Sequence, residues 1–329
     1  MKKRVMSLWI AVIFCILALP GCKKNVGTSE DNAMRNDEET EDIDGSYLFG
    51  FSCITMENPY YITLEQSLRE TIEDRGHSLI TKDPRLDADR QLEQLEEMIE
   101  EGVDAVFLCP VSWEKITPAL EKLKEADVRI INVDTEVKAM DYVDAYVGSD
   151  NKNAGVICAQ DLIKMYPDGG KIVILESLSQ NSVIDRITGF EEAIAGQGFE
   201  IVARADVHGD LNDAREAASE IFKENEEITA VMCGNDPSAL GALVAANTAK
   251  RKDLIIYGVD GSPDLKKELI KHDTLIRGTC GQSPISTGKD AAKIGIALLD
   301  GEDYERETYE EVFFIDAENV KMYGADGWQ

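Results

Sequence analysis

The residues best suited to chemistry in this chain are polar groups placed just past apolar, strand-like runs. Asn235 follows Thr229–Cys233, Asp260 follows Leu254–Val259, Asp134 ends the run Val128–Val133, and Gln282 follows Leu275–Thr279. In open parallel sheets ligands bind at the carboxyl ends of the strands. Helix capping competes for the same positions. Asp236-Pro237 pairs a carboxylate with proline, the chemistry of a helix start, so Asp236 reads as a cap and Asn235 stands outside it. Asp260 precedes Gly261-Ser262-Pro263 and Gln282 precedes Ser283-Pro284, and in both cases the serine is the natural cap. Local helix chemistry therefore leaves Asp260 and Gln282 unused. Asn58-Pro59 is again a cap by type, and capping alone accounts for Asn58. Tyr60 and Tyr61 follow it, and two adjacent side chains on a helix cannot face the same way.

Carboxylates accept hydrogen bonds, arginine donates them, and Asn and Gln do both. A sugar hydroxyl also donates and accepts, so such a set can saturate a polyol. Aromatic rings suit the apolar C–H faces of a sugar. Asp134 and Asp260 also allow a second chemistry, the paired carboxylates of a glycoside hydrolase. No acid in an obvious apolar pocket accompanies them, so this is the weaker reading. His77, His208 and His272 are isolated, and no GxSxG, HExxH, P-loop or GxGxxG is present. No metal or cofactor is expected. Of seven cysteines, Cys15 and Cys22 are N-terminal; Cys53, Cys109, Cys158, Cys233 and Cys280 are scattered without a CxxC pair. They read as small buried hydrophobes.

The elements that must carry these groups alternate along the chain. A first series runs strand 47–54, helix 59–75, strand 78–81, helix 88–101, strand 105–109, helix 112–125, strand 128–133 and strand 142–147. A second runs helix 154–165, strand 171–175, helix 183–196, strand 201–205, helix 213–223, strand 229–233, helix 237–249, strand 254–259, helix 263–271, strand 275–279 and helix 284–299. The tail 311–322 has strand character. Helices show apolar residues every three to four positions, as in Leu92, Leu95, Met98 and Ile99. Alternating strands and helices imply parallel sheets, and two such series imply an α/β protein of two lobes with a cleft between them.

The chain has 329 residues and a formal net charge of −29, which sets it against nucleic acid and anionic membrane surfaces as partners. Residues 1–22 read as an export signal: a basic start, an apolar run from Val5 to Leu19, then Leu19-Pro20-Gly21-Cys22. That ending resembles a bacterial lipobox, with Cys22 the lipidated residue. Residues 23–46 are acidic and nearly devoid of apolar side chains, a solvated tether reaching about 25–30 Å.

Six motifs together resemble a known family: FSCITMENPYY, INVDTE, DRITGF, CGNDPSALGAL, YGVDGSPD and GTCGQSP. Their order and spacing are similar to those of the extracytoplasmic sugar-binding proteins of ABC transporters, the ribose-binding-protein-like group of the type I periplasmic binding fold. The resemblance runs from about Tyr47 to the end of the sequence. It implies two doubly wound parallel-sheet lobes joined by a three-crossing hinge. Residues 47–149 plus 283–309 would form one lobe and 150–282 plus 310–329 the other. It implies ligand contacts at Asn58, Tyr60, Tyr61, Asp134, Arg186, Asn235, Asp260 and Gln282. Without it, Arg186 would read as a surface arginine on an amphipathic helix. Four features depart from the ribose-binding pattern: Cys109 stands for an asparagine, Thr135 for an arginine and Val259 for an aromatic, and the second-lobe aromatic near His208–Gly209 has no clear match. Trp113 could restore aromatic area at the cleft or simply pack. The expected function is a monomeric, membrane-tethered solute-binding lipoprotein, outside the cytoplasm, that delivers a sugar or sugar-like polyol to an ABC permease. The alternative is a sensing lipoprotein that reports ligand to a membrane kinase or chemoreceptor.

Overall fold

Among the described residues, short apolar runs such as Val106–Leu108 and Ile172–Leu175 become strands, and amphipathic stretches such as Ala88–Glu100 become helices laid against them. A computed structural model describes residues 45–271 and 273–329. The expected export signal 1–22 with Cys15 and Cys22, nearly all of the expected tether 23–46, and His272 lie outside the described residues.

The first sheet is built from β1 (Leu48–Ser52), α1 (Pro59–Glu73), β2 (Ser78–Lys82), α2 (Ala88–Glu100), β3 (Ala105–Leu108), α3 (Thr117–Glu125), β4 (Arg129–Val133) and β5 (Ala145–Ser149). The chain then crosses to a second sheet. It runs through α4 (Asn151–Met165), β6 (Gly170–Glu176), α5 (Asn181–Ile194), β7 (Phe199–Asp206), α6 (Leu211–Glu224), β8 (Ala230–Cys233) and α7 (Asp236–Thr248). It continues through β9 (Ile255–Asp260), α8 (Pro263–Leu269) and β10 (Ile276–Gly281). A second crossing returns α9 (Pro284–Asp300) and β11 (Glu307–Glu310) to the first sheet, and a third delivers β12 (Phe313–Asp316) and α10 (Val320–Tyr323) to the second.

The strand orders are β2-β1-β3-β4-β5-β11 and β7-β6-β8-β9-β10-β12, the same winding twice. All neighbours are parallel except β12, which runs antiparallel to β10. Period-two alternation buries both faces of each sheet. Phe49, Phe51 and Phe107 pack beneath α1 and α9, while Val106, Leu108 and Ile130 face α2 and α3. In the second sheet Val173 and Val231 face α6 and α7, and Ile172, Ile174 and Met232 face α4 and α5. No helix among the described residues is long and apolar enough to cross a membrane.

Two expectations for the elements are corrected. α3 begins at Thr117, not Ser112, with Pro118 in its first turn. A proline deeper in a helix would lack its N–H bond and strike the carbonyl one turn back. The tail is a short strand followed by the helical turn α10, not one strand. The five described cysteines are buried and free. Burial pushes the Cys280 thiol up to about 12, as suits packing rather than reactivity.

One close approach positions the site. Gly155 of α4 lies so near α5 that an added Cβ would sit 1.8 Å from the Arg186 carbonyl oxygen, and a Cβ on Gly189 of α5 would meet the Lys152 carbonyl at 2.0 Å. The two helices therefore cross backbone to backbone, with Arg186 at the contact. Gly155→Ala is expected to destabilise the protein by about 1–3 kcal/mol, measured by denaturant unfolding, because neither backbone can yield locally. An unchanged midpoint would show that the helices separate freely.

Candidate ligand-binding site

The carboxyl ends of the strands in both sheets face one cavity of about 460 Å³. Its size falls within the ~300–1,000 Å³ of small-molecule sites. The loop after β1 and the start of α1 contribute Asn58, Tyr60 and Tyr61; the end of β4 contributes Asp134. From the second sheet come Arg186 on α5, Asn235 after β8 and Asp260 at the end of β9. Seven of the eight positions expected from the sequence thus line a single cavity.

The eighth does not. Gln282 is buried behind Asp260, donating its Nε2 to Asp260 Oδ1 at 2.9 Å, and is absent from the cavity wall. It braces a lining carboxylate from the hinge side. Its Oε1 has no hydrogen-bond partner among the described residues.

Backbone conformation aims the two carboxylates. Asp134 has φ 68° and Asp260 φ 142°, both in the region that side chains with a Cβ avoid. Such residues cost on the order of 1–3 kcal/mol each and concentrate at functional sites. Asp134 Oδ2 accepts from the Tyr61 hydroxyl at 2.9 Å. Asp260 Oδ2 accepts from the Asp236 backbone N–H at 3.2 Å. The Arg186 guanidinium reaches across from α5. Its Nε donates to Asn151 Oδ1 and one terminal nitrogen to the Gly234 carbonyl, each at 2.8 Å, and it approaches Asp260 Oδ1 at 3.7 Å.

The capping assignment at α7 is corrected. Asn235, not Asp236, is the cap: its Oδ1 accepts from Ser238 N at 3.0 Å while its Nδ2 donates to the Gly209 carbonyl at 2.9 Å. Asp236 turns inward instead, taking bonds from Ser262 N and the Thr279 hydroxyl at 2.7 Å each. Asp236 therefore lies behind the lining carboxyl of Asp260, and the two form a buried pair. Burial first, and Asp236 second, push the Asp260 carboxyl well above the usual carboxylate range, with Arg186 pulling it back. Burial raises Asp236 against the Thr279 and Ser262 bonds, and raises Asp134 against Arg186 and Tyr61. Burial likewise keeps Tyr60 and Tyr61 protonated, and the Tyr60 hydroxyl has no partner among the described residues.

Of the positions that depart from the ribose-binding pattern, His208 and Gly209 line the cavity and the other three leave the wall. Cys109 points its thiol at the Val133 carbonyl, Val259 joins the core beneath α4 and α5, and Thr135 is fully buried. The Thr135 hydroxyl accepts from Ser182 N at 3.0 Å, and Trp113 N donates to the Ser179 carbonyl at 3.0 Å, so two hydrogen bonds tie one lobe to the other beside the cavity. Trp113 is outside the cavity and carries Lys138 over its ring.

Other lining residues went unread in the sequence. Gln180 follows β6 just as Asn58 follows β1, a placement that could have exposed it. Leu86, Leu211 and Leu240 carry no signal beyond hydrophobicity. Trp328 packs edge-on against Tyr60, with ring centroids 5.7 Å apart, and Gln329 donates to the Gln282 carbonyl. No group of His, Cys, Asp or Glu among the described residues is arranged to hold a metal ion.

Comparison with known proteins places this geometry. The family model of the periplasmic binding protein domain matches residues 49–303. The ribose import binding protein of Bacillus subtilis (strain 168) is 27% identical over 261 residues, 79% of this chain and 84% of that protein. The binding component of the arabinose ABC transporter from Shewanella sp. ANA-3, solved with L-arabinofuranose, superposes with a TM-score of 0.76 at 25% identity, covering 84% of this chain and 93% of that one. A solute-binding protein of Mycobacterium smegmatis with bound glycerol shares the fold at a TM-score of 0.81 and 24% identity, over 87% and 98% of the two chains. These relatives bind and transport; none is a hydrolase, and the pairing of Asp134 with Asp260 as catalytic acids is set aside. By its matched domain and its two equally wound lobes, the chain belongs to the periplasmic binding protein family and is a binding protein, not an enzyme.

Proposed function

We propose that the protein captures a sugar or sugar-like polyol between its lobes and presents it to an ABC permease. The observation that carries this reading is the convergence of Asp134 from one sheet with Arg186, Asn235 and Asp260 from the other on one cavity, beside two tyrosines. Those groups offer acceptors and donors in the mixture that vicinal hydroxyls require. A ligand held by both lobes favours the closed arrangement, because only contacts made in one state shift the balance toward it. Asn58, Tyr60, Tyr61 and Asp134 would serve the lobe 47–149 plus 283–309, and Arg186, Asn235 and Asp260 the lobe 150–282 plus 310–329. Gln282 would act at the hinge by bracing Asp260. Cys22 would carry the lipid and residues 23–46 the tether, holding a monomer at the outer face of the membrane.

Asp260→Ala tests the assignment. Loss of a charged hydrogen-bond partner is expected to weaken binding of the stabilising sugar by about 1.5–3 kcal/mol in titration calorimetry. Unchanged affinity would remove Asp260 from the site.

A further inference from the structure

The cavity is unbalanced in charge. Glu57, Asp134, Asp210, Asp260 and Asp264 line it, and Arg186 is the sole lysine or arginine among the described lining residues. His208 also lines it, but its Nδ1 is engaged by Asp213 at 3.0 Å. Asp210 is occupied capping α6 and Asp264 lies 3.3 Å from Lys267, so the rim is partly compensated. The floor is not. Asp134 and Asp260 come from opposite lobes and are both buried, with Asp236 directly behind Asp260. The single guanidinium among them spends two of its donors on Asn151 and Gly234 and stays 3.7 Å from Asp260. Asp134 forms no ion pair among the described residues.

Bringing the lobes together therefore disfavours ionising both carboxyls, in surroundings where water screens charge weakly. A ligand that supplies positive charge between Asp134 and Asp260 offsets that penalty and draws both to the carboxylate form only in the closed state, and so gains affinity from closure itself. A carboxylated or phosphorylated ligand would add to the penalty. We propose that the site prefers a sugar or polyol bearing a protonated amine over the same skeleton with a hydroxyl, and rejects sugar acids. This rests on the sugar-binding reading and narrows it.

The test is titration calorimetry of the protein at about pH 6 with matched series: glucosamine, glucose and glucuronate; galactosamine, galactose and galacturonate; and amino and hydroxyl forms of pentoses. In the series that fits the cavity, the amine is expected to bind at least about tenfold more tightly than the hydroxyl, the margin between a charged and a neutral hydrogen bond. The acid is expected to show no binding. Asp260→Asn should shrink the amine-to-hydroxyl ratio toward one, which a merely steric preference would not do. Hydroxyl members binding as tightly as their amines, or a ratio unmoved in Asp260→Asn, would overturn the charge preference and leave the sugar reading standing. Absence of binding in every series would overturn the charge preference, and the sugar-or-polyol reading would then stand or fall with the response to neutral polyols.

Discussion

Arg186→Leu is expected to lose ligand binding by about 100-fold or more and to destabilise the protein by about 3–5 kcal/mol. The guanidinium is buried with the Asn151 side chain and the Gly234 carbonyl as its acceptors and Asp260 nearby. Leucine fills much of the space but leaves two acceptors unbonded and the Asp260 carboxylate without its neighbouring charge. Arg186→Lys should not restore function. An ammonium is a compact point charge, and it cannot serve two acceptors at fixed angles while also facing the cavity. Denaturant unfolding and calorimetry on both variants provide the check. A lysine variant with full affinity would show that charge alone, not the planar fork, is what Arg186 contributes.

Asp260→Asn is expected to flatten the pH dependence of stability of the ligand-free protein. The Asp260 carboxyl is held well above the usual range by burial and by Asp236, while Arg186 opposes the shift. A carboxyl whose pKa rises on folding takes up protons on folding. Its contribution to stability is then full below the unfolded value, about 3.9, and is lost as pH rises toward the folded value. Asp236 and Asp134 are raised as well, so they act in the same direction. The net charge of −29 adds self-repulsion as pH rises, which makes the difference between wild type and variant the informative quantity. From about pH 4 upward, wild type should lose stability more steeply than Asp260→Asn. The difference is bounded by one proton, about 1.4 kcal/mol per pH unit. Parallel curves would mean that Asp260 titrates no differently once folded.

Much of this architecture is legible in the sequence because strands and helices carry different patterns. The short continuous apolar run Ile172–Leu175, whose members pack alternately on the two faces of its sheet, marks a doubly covered strand, and the three-to-four spacing around Leu95 and Met98 marks a helix. Asp134 and Asp260 could be picked out because no nearby helix claims them. Asn-Asp-Pro at 235–237 is harder: Asn and Asp are comparable caps. The choice falls to Asn235 because the Asp236 side chain is taken by Ser262 and Thr279, whose nearness only the fold creates. Arg186 is the same problem at larger scale. Helical periodicity alone puts it on a surface, and it is the close crossing at Gly155 and Gly189 that encloses it. Positive φ at the two aspartates and the approach of Trp328 to Tyr60 leave no local trace. Gln282 was separable from capping but not from a bracing role, because its distance behind the cavity wall depends on the hinge.

The most direct measurement is native mass spectrometry of the purified protein for a retained small molecule, followed by thermal unfolding against neutral, amino and acidic sugars and polyols. At a thousandfold excess over Kd a true ligand adds about 4 kcal/mol of stability, a rise in midpoint of several degrees for cooperative unfolding. The account predicts such a rise for at least one sugar or polyol and its loss in Arg186→Leu. A flat response across the panel, together with stabilisation by a ligand carrying no polyol, would contradict it.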